Sequence, residues 1–246
     1  MTHSLRWHRR DLAITLAALL LLLAWDASGA DLWLERFYGG AQGFPLRDHW
    51  FTARVLHDGG RLLAGAVVAA LVLNVWWPWT PRLPRAARVA WLAVTLVGLA
   101  MIPLLKKNSL TSCPWDLDEF GGAAHWVSHW TFGIADGGVG HCFPSGHATA
   151  AVAFFGGWFA LREPHPRLAR AWLAGVLVLG LLFGWGQLAR GAHFASHTLW
   201  SAWLCWTLGL AVLGYRRSWP ATTTVVSVGG SRSLRVLPST KRKRST

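Results

Sequence analysis

Val89-Ala90-Trp91-Leu92-Ala93-Val94-Thr95-Leu96-Val97-Gly98-Leu99-Ala100-Met101-Ile102-Pro103-Leu104-Leu105 runs without a single charge and ends abruptly at Lys106-Lys107. A run of that length approaches the roughly 20 apolar residues that cross the hydrocarbon core of a bilayer. Working outward, comparable runs occupy residues 12–30, 62–77, 148–161, 171–186 and 199–215. We read six transmembrane helices, an all-α bundle in which residues 1–217 form one membrane domain. The run at 148–161 is the shortest and holds Gly156 and Gly157, so its length also fits a buried core helix. Consistent orientation of its neighbours favours a span. The first run follows Arg6, Arg9 and Arg10 but has no small-x-small cleavage site before Asp31, and it reads as an anchor rather than a removed signal.

Hydrophobic residues make up 53% of the chain, with 18 Trp, which argues against a soluble enzyme. A net charge of +13 would point to nucleic acid in a soluble protein. Here the cations are sorted by loop. With the N-terminus inside, one side holds Arg6, Arg9, Arg10, Arg82, Arg85, Arg88, Arg162, Arg167, Arg170, Arg216, Arg217, Arg232, Arg235, Lys241, Arg242, Lys243 and Arg244. Only Arg36, Arg47, Arg54, Arg61, Lys106, Lys107 and Arg190 fall on the other. This bias is an orientation signal, not a nucleic-acid surface, and it predicts both termini in the cytoplasm of a bacterial-type inner membrane. Trp25, Trp33, Trp76, Trp77, Trp79, Trp200 and Trp219 lie near span ends and read as interfacial belts. Residues 218–246 are Ser/Thr-rich and basic, and we expect a disordered tail resting on anionic membrane lipids. Nothing in the sequence sets an oligomeric state.

The same topology brings three polar clusters to one outer surface. The first starts at Lys106, where two cations against the general bias suit a phosphate as point charges, or simply snorkel at a helix end. The second, Gly140-His141-Cys142-Phe143-Pro144-Ser145-Gly146-His147, precedes an apolar helix. Ser145 can cap that helix, Gly146 lets a ligand approach bare N–H groups, and His147 can move protons. In the third, Gln187, Arg190, His193 and His197 share a helical stripe unless Gly191 breaks it. Arg190 can grip phosphate, and His193 can be a nucleophile if a neighbour holds its second nitrogen. Cys113 and Cys142 share the outer loop, where oxidising conditions permit a disulfide; we favour the bridge over two free thiols, although spacing alone does not establish that the sulfurs meet. His125 and His129 would chelate a metal only if residues 123–131 were helical and a third ligand existed, and we expect lining instead.

Together these residues resemble the type 2 phosphatidic acid phosphatase superfamily, whose signature is Lys-x6-Arg-Pro, then Pro-Ser-Gly-His, then Ser-Arg-x5-His-x3-Asp. The resemblance covers roughly residues 106–197. Pro144-Ser145-Gly146-His147 matches throughout; Lys106 and Pro114 match the first element, but Cys113 replaces its Arg. In the third element His193 matches the nucleophile, Gly186-Gln187 replaces Ser-Arg, and His197 replaces Asp.

The resemblance implies a membrane hydrolase acting on a lipid phosphate or diphosphate, with no metal or other cofactor. His193 would attack phosphorus to give a phosphohistidine, and His147 would protonate the leaving oxygen and then deprotonate water. Lys106, Ser145, Gly146, Gln187 and Arg190 would bind the phosphate, Arg190 replacing the lost Arg. His197 would orient His193 without supplying a negative charge, which Asp116 or Asp118 would lend from the preceding loop. Undecaprenyl diphosphate, phosphatidylglycerol phosphate, phosphatidic acid and lipid A all fit. A lipid-to-lipid phosphotransferase, or a non-catalytic relative that binds anionic lipid, are the alternatives left open by the altered positions.

Overall fold

The computed structural model describes residues 2–214, with side chains from Trp7 onward. The expected basic tail, Tyr215 and Trp219 lie outside the described residues. Within them the chain is helical, with isolated bridges but no strand. Its helices are α1 (Thr2–Ser28), α2 (Ala30–Glu35), α3 (Gly59–Trp76), α4 (Arg85–Lys107), α5 (Thr149–Val152), α6 (Gly156–Leu161), α7 (Pro166–Ala189) and α8 (Ala195–Gly209).

Four segments are long and apolar enough to cross a membrane: Trp7–Ser28, Phe51–Trp76, Arg85–Lys107 and Pro166–Ala189. Their outward faces leave Leu21 73%, Leu62 76% and Leu181 72% exposed, surface that suits lipid tails and not water. The second begins earlier than the apolar run at 62–77, because a π-helical segment, Phe51–Asp58, leads straight into α3. Pro103 lies inside α4 near its C-terminal end.

The other two expected spans come out differently. Residues 149–161 form α5, a 3-10 turn at Ala153–Phe155 and α6, about 20 Å in all at 1.5 Å per residue, against a core of about 30 Å. This short piece is the innermost of the bundle, enclosed by α4, α7 and α8. Its glycines make the enclosure possible. A Cβ on Gly157 would stand 2.2 Å from the Trp172 indole nitrogen, and one on Gly156 3.3 Å from Val94. Trp172 in turn donates its indole N–H to the Phe154 carbonyl at 2.8 Å. The last segment, α8, continues into a π turn at Leu210–Gly214.

The two ends of the bundle are held differently. At one, Arg162 pairs with the buried Asp11 of α1. At the other, side chains tie long loops to helix ends. Asp31 of α2 accepts the Ser196 N–H at 3.0 Å and also the Ser196 hydroxyl, capping the N-terminus of α8 with a carboxylate where the helix dipole favours one. Asp136 accepts Ser112 N–H, Ser112 O–H and Gly138 N–H, folding residues 112–138 into a compact cap. The expected tryptophan belts are only partly interfacial: Trp33, Trp76 and Trp77 are exposed. Trp200 is buried with its N–H on Asp26 at 2.8 Å, and Trp25 donates to Asp31 at 2.8 Å, so both are structural.

Candidate active site

The helix expected from residue 148 starts at Thr149, after a turn through Gly146, His147 and Ala148. Ser145 is fully buried: its N–H donates to the His197 carbonyl at 3.1 Å, and its own carbonyl accepts the Ser201 hydroxyl at 2.8 Å. The central motif is thereby pinned to α8. Among the described residues the N–H groups of Gly146 and His147 meet no acceptor and are open to an anion. A Cβ on Gly146 would lie 3.8 Å from the Lys106 side chain, which places the end of α4 directly beside this turn.

His193 arrives by a different route from the one expected. The stripe through Gln187, Arg190, His193 and His197 does not exist as one helix. Gly191, with φ of +68°, ends α7: its N–H donates to Leu188 carbonyl and the Ala192 N–H to Gln187 carbonyl, both at 2.9 Å. This is a Schellman stop, and glycine takes its left-handed turn without a Cβ penalty. A Cβ there would also meet the Phe44 ring at 2.3 Å. His193 therefore sits in a connector, His197 in the first turn of α8, and both are buried.

The rings of His147 and His193 lie 6.2 Å apart, centroid to centroid, and those of His193 and His197 5.9 Å apart. Cys113 and Cys142 are joined in a disulfide. Cys142 Sγ lies 3.4 Å from His193 Nδ1 and 3.3 Å from the Ala192 carbonyl oxygen. Thus the residue standing where the superfamily signature has Arg ties the first polar cluster to the second, behind the His193 ring.

Arg190 follows the end of α7, its Nε donating to the Arg47 carbonyl at 2.7 Å and its guanidinium 5.9 Å from the Trp115 ring. Its Nη1 is buried without a partner. Gln187 is buried on the last turn of α7, its Oε1 also unpartnered. Among the described residues no carboxylate pairs with Lys106 or Arg190. Burial, followed by the charges of His57, Lys106, Arg190 and Arg61, pushes His147 down to about 3, so its ring is neutral at physiological pH. Burial likewise holds His193 well below the usual histidine range, with Lys106 the next cause, leaving an unprotonated imidazole fit for nucleophilic attack.

Three features of the sequence reading change here. Asp118 bonds the exposed His125 at 2.7 Å and Asp116 accepts the Trp115 indole N–H at 3.0 Å, so neither lends charge to His197. Residues 123–131 are not helical, and His125 and His129 serve different partners. Asp26 of α1 lies 3.4 Å from His129 Nε2, and the His129 ring lies 5.4 Å from that of His197. Both ring nitrogens of His197 are buried without partners, beside a small polar cavity shared with Asp26, Asp31, Ser128 and His129.

Sequence reasoning missed His57. It lies on the π segment before α3, with Nδ1 2.8 Å from Asp58 Oδ1 and its ring 3.8 Å from that of His147, tilted by 35°. The adjacent His-Asp pair was the available signal, but it stood in a stretch without a continuous apolar run and read as outer loop.

A comparison with known families matches residues 87–220 to the PAP2 superfamily. No curated protein and no solved structure matches the chain. The match covers more than half the sequence and spans the whole histidine cluster, so the chain belongs to the PAP2 superfamily, a membership that supports phosphatase-type chemistry in general.

Proposed function

We propose that this protein is an integral membrane phosphatase that releases phosphate from a lipid phosphate or diphosphate through a phosphohistidine on His193. The observation that carries the reading is the pair of buried imidazoles at 147 and 193, 6.2 Å apart, with Lys106 and Arg190 acting on His147 and neither cation in a salt bridge among the described residues. That separation leaves room for a phosphoryl group between the rings.

In the first step His193 forms a P–N bond as the P–O bond to the lipid breaks, and the leaving oxygen takes the proton of His147, whose charged form the bound phosphate anion favours. In the second, water gives a proton to His147, its oxygen bonds phosphorus, the P–N bond breaks and phosphate leaves. Lys106, Arg190 and the N–H groups of Gly146 and His147 stabilise the charge that gathers on the phosphoryl oxygens, with Ser145 and Gln187 shaping the floor.

Two features support a lipid substrate. An apolar groove of about 320 Å³, lined by Leu63, Val67, Ala150, Ala151, Trp172 and Val176, begins three residues beyond His147. The helices that surround it present apolar side chains outward. We further read six spans, with α5–α6 and α8 as the remaining two, both termini cytoplasmic and the site at the outer, periplasmic face, a reading the cation bias of the sequence supports.

The test is phosphate release by the purified protein from phosphatidic acid, phosphatidylglycerol phosphate, undecaprenyl diphosphate and lipid A. Release from at least one, abolished in His193→Ala and inhibited by vanadate, is expected. A His193→Ala variant as active as wild type ends the proposal.

A further inference from the structure

A cavity of about 20 Å³ lies beside the His197 ring, and the polar atoms around it are short of partners. Its walls include Asp26 from the last turn of α1, His129 from the cap over residues 112–138, and His197 from the first turn of α8. Among the described residues both nitrogens of His197, His129 Nε2 and Asp26 Oδ1 are buried with no hydrogen-bond partner. A neutral imidazole has one donor and one acceptor to satisfy, and leaving either bare in the interior is costly. A space of this size, with polar walls on several sides, is what a single water molecule needs.

Two carboxylates line this cavity, and they are not equivalent. Asp31 is fully engaged: Oδ1 accepts the Trp25 indole N–H at 2.8 Å and the Ser196 N–H at 3.0 Å, and Oδ2 accepts the Ser196 hydroxyl. Asp26 receives two indole N–H groups, from Trp130 at 2.9 Å and Trp200 at 2.8 Å, both on Oδ2. Its Oδ1 is left without a donor. The Asp26 charge acts on the His197 ring, and the His197 ring lies 5.9 Å from that of His193. The Cys142 backbone carbonyl acts on both rings. Phe143 stacks on His129 at 4.1 Å and meets the His197 ring at 5.2 Å. His197 is fully buried, so a charge in this corner is little screened by solvent.

We propose that Asp26 is a positioning residue for the His193 nucleophile, its carboxylate linked through one water in this cavity to His197 and standing in for the acid that the superfamily signature has at 197. The assignment rests on the phosphatase reading above. His193 becomes positive as its nitrogen bonds to phosphorus, and a neutral His197 by itself offers no opposite charge. The water donates to Asp26 Oδ1 and accepts the His197 N–H, which fixes the His197 tautomer and leaves a lone pair on its other nitrogen. Charge gathering on His193 is then met by a polarised imidazole with a carboxylate behind it. The residues matched to the family do not include this carboxylate, because Asp26 precedes residue 87.

Asp26→Asn keeps an oxygen for the two indoles and removes the charge, which provides the test. Full-length purified protein is assayed on whichever of the lipids named above it hydrolyses fastest. In Asp26→Asn, kcat/KM should fall roughly tenfold, the size of a charge interaction across two ring spacings in the interior, and the vanadate inhibition constant should rise by a similar factor. Partial unfolding lowers kcat but does not move that constant. In a His197→Asp background, which puts a carboxylate beside His193, and in a His197→Phe background, which cuts the link, Asp26→Asn should change kcat/KM by less than about twofold. Unchanged kcat/KM in Asp26→Asn, an unmoved vanadate constant, or a loss of the same size in either background overturns the assignment while leaving the phosphatase reading in place. Wild-type protein with no His193-dependent release from any of those lipids overturns both.

Discussion

The Sγ of Cys142 lies 3.4 Å from Nδ1 of His193, so the disulfide to Cys113 backs the His193 imidazole. A disulfide sulfur has no proton to give, so the contact suits the tautomer with its proton on Nδ1, and in the proposed mechanism Nε2 is then the attacking atom. The bridge closes a loop across 29 residues and constrains the unfolded chain by about 3 to 4 kcal/mol. We expect Cys113→Ser to lower the melting temperature by roughly 5 to 15 °C, given about 2–4 °C per kcal/mol for a domain of this size. It should also cost activity at temperatures where the fold is intact. Thermal melts with and without reductant, run beside phosphate-release assays, check both effects; unchanged activity in the folded variant would remove the bridge from the nucleophile's support.

His197 stands where the superfamily signature has Asp, with both ring nitrogens unsatisfied and its ring 5.9 Å from His193. An aspartate there would restore a negative charge close to the His193 imidazole and favour its charged form. His197→Asp is expected to retain or raise kcat/KM, measured on the best lipid substrate. Complete loss would mean that the position does not act on His193.

Glu35 is buried at the end of α2 with neither carboxyl oxygen bonded, and burial, assisted by nearby Asp31, pushes its carboxyl up to about 10. A group raised in the folded state gives its full contribution below the unfolded value, near 4.5, and loses it as pH rises toward 10. Glu35→Gln mimics the neutral acid at every pH. We expect its melting temperature to exceed wild type by a few degrees at pH 8 to 9 and to match it near pH 4, with the difference growing monotonically between; a constant offset would sink the explanation.

Gly191 combines a positive φ with a Phe44 ring 2.3 Å from where a Cβ would stand. Gly191→Ala should destabilise by about 2 kcal/mol from backbone strain and overpacking together. Because His193 is two residues on, activity should fall at least tenfold even at temperatures where circular dichroism shows the helices intact. Parallel melts and kinetics would detect an activity loss that merely tracks unfolding.

Apolar runs announced α1, α4 and α7 well, because a helix facing lipid has no polar face to confuse the pattern. The same uniformity hid depth: residues 149–161 look like any other apolar run, and only packing against Trp91 and Trp172 marks them as the innermost piece. His147, His193, Lys106 and Arg190 were legible by type and order along the chain. Their neighbours were not. His57 and Asp26 come from distant segments, and their proximity to the histidines depends on how α1 and α3 lean on the bundle, which no local spacing encodes. Gly191 was visible as a risk to the stripe, yet its sign of φ, and with it the break before His193, is set by the Schellman hydrogen bonds and the Phe44 contact.

The family match begins at residue 87, yet Asp26, Asp31 and the His57–Asp58 pair all precede it. The stretch matched to the family brings Lys106, His147, Arg190 and His193, while the carboxylates that brace α8, pair with His129 and accompany His57 are brought by the first third of the chain. Transplanting residues 87–220 onto a foreign N-terminal half would therefore carry the signature and leave behind its acidic counterweights.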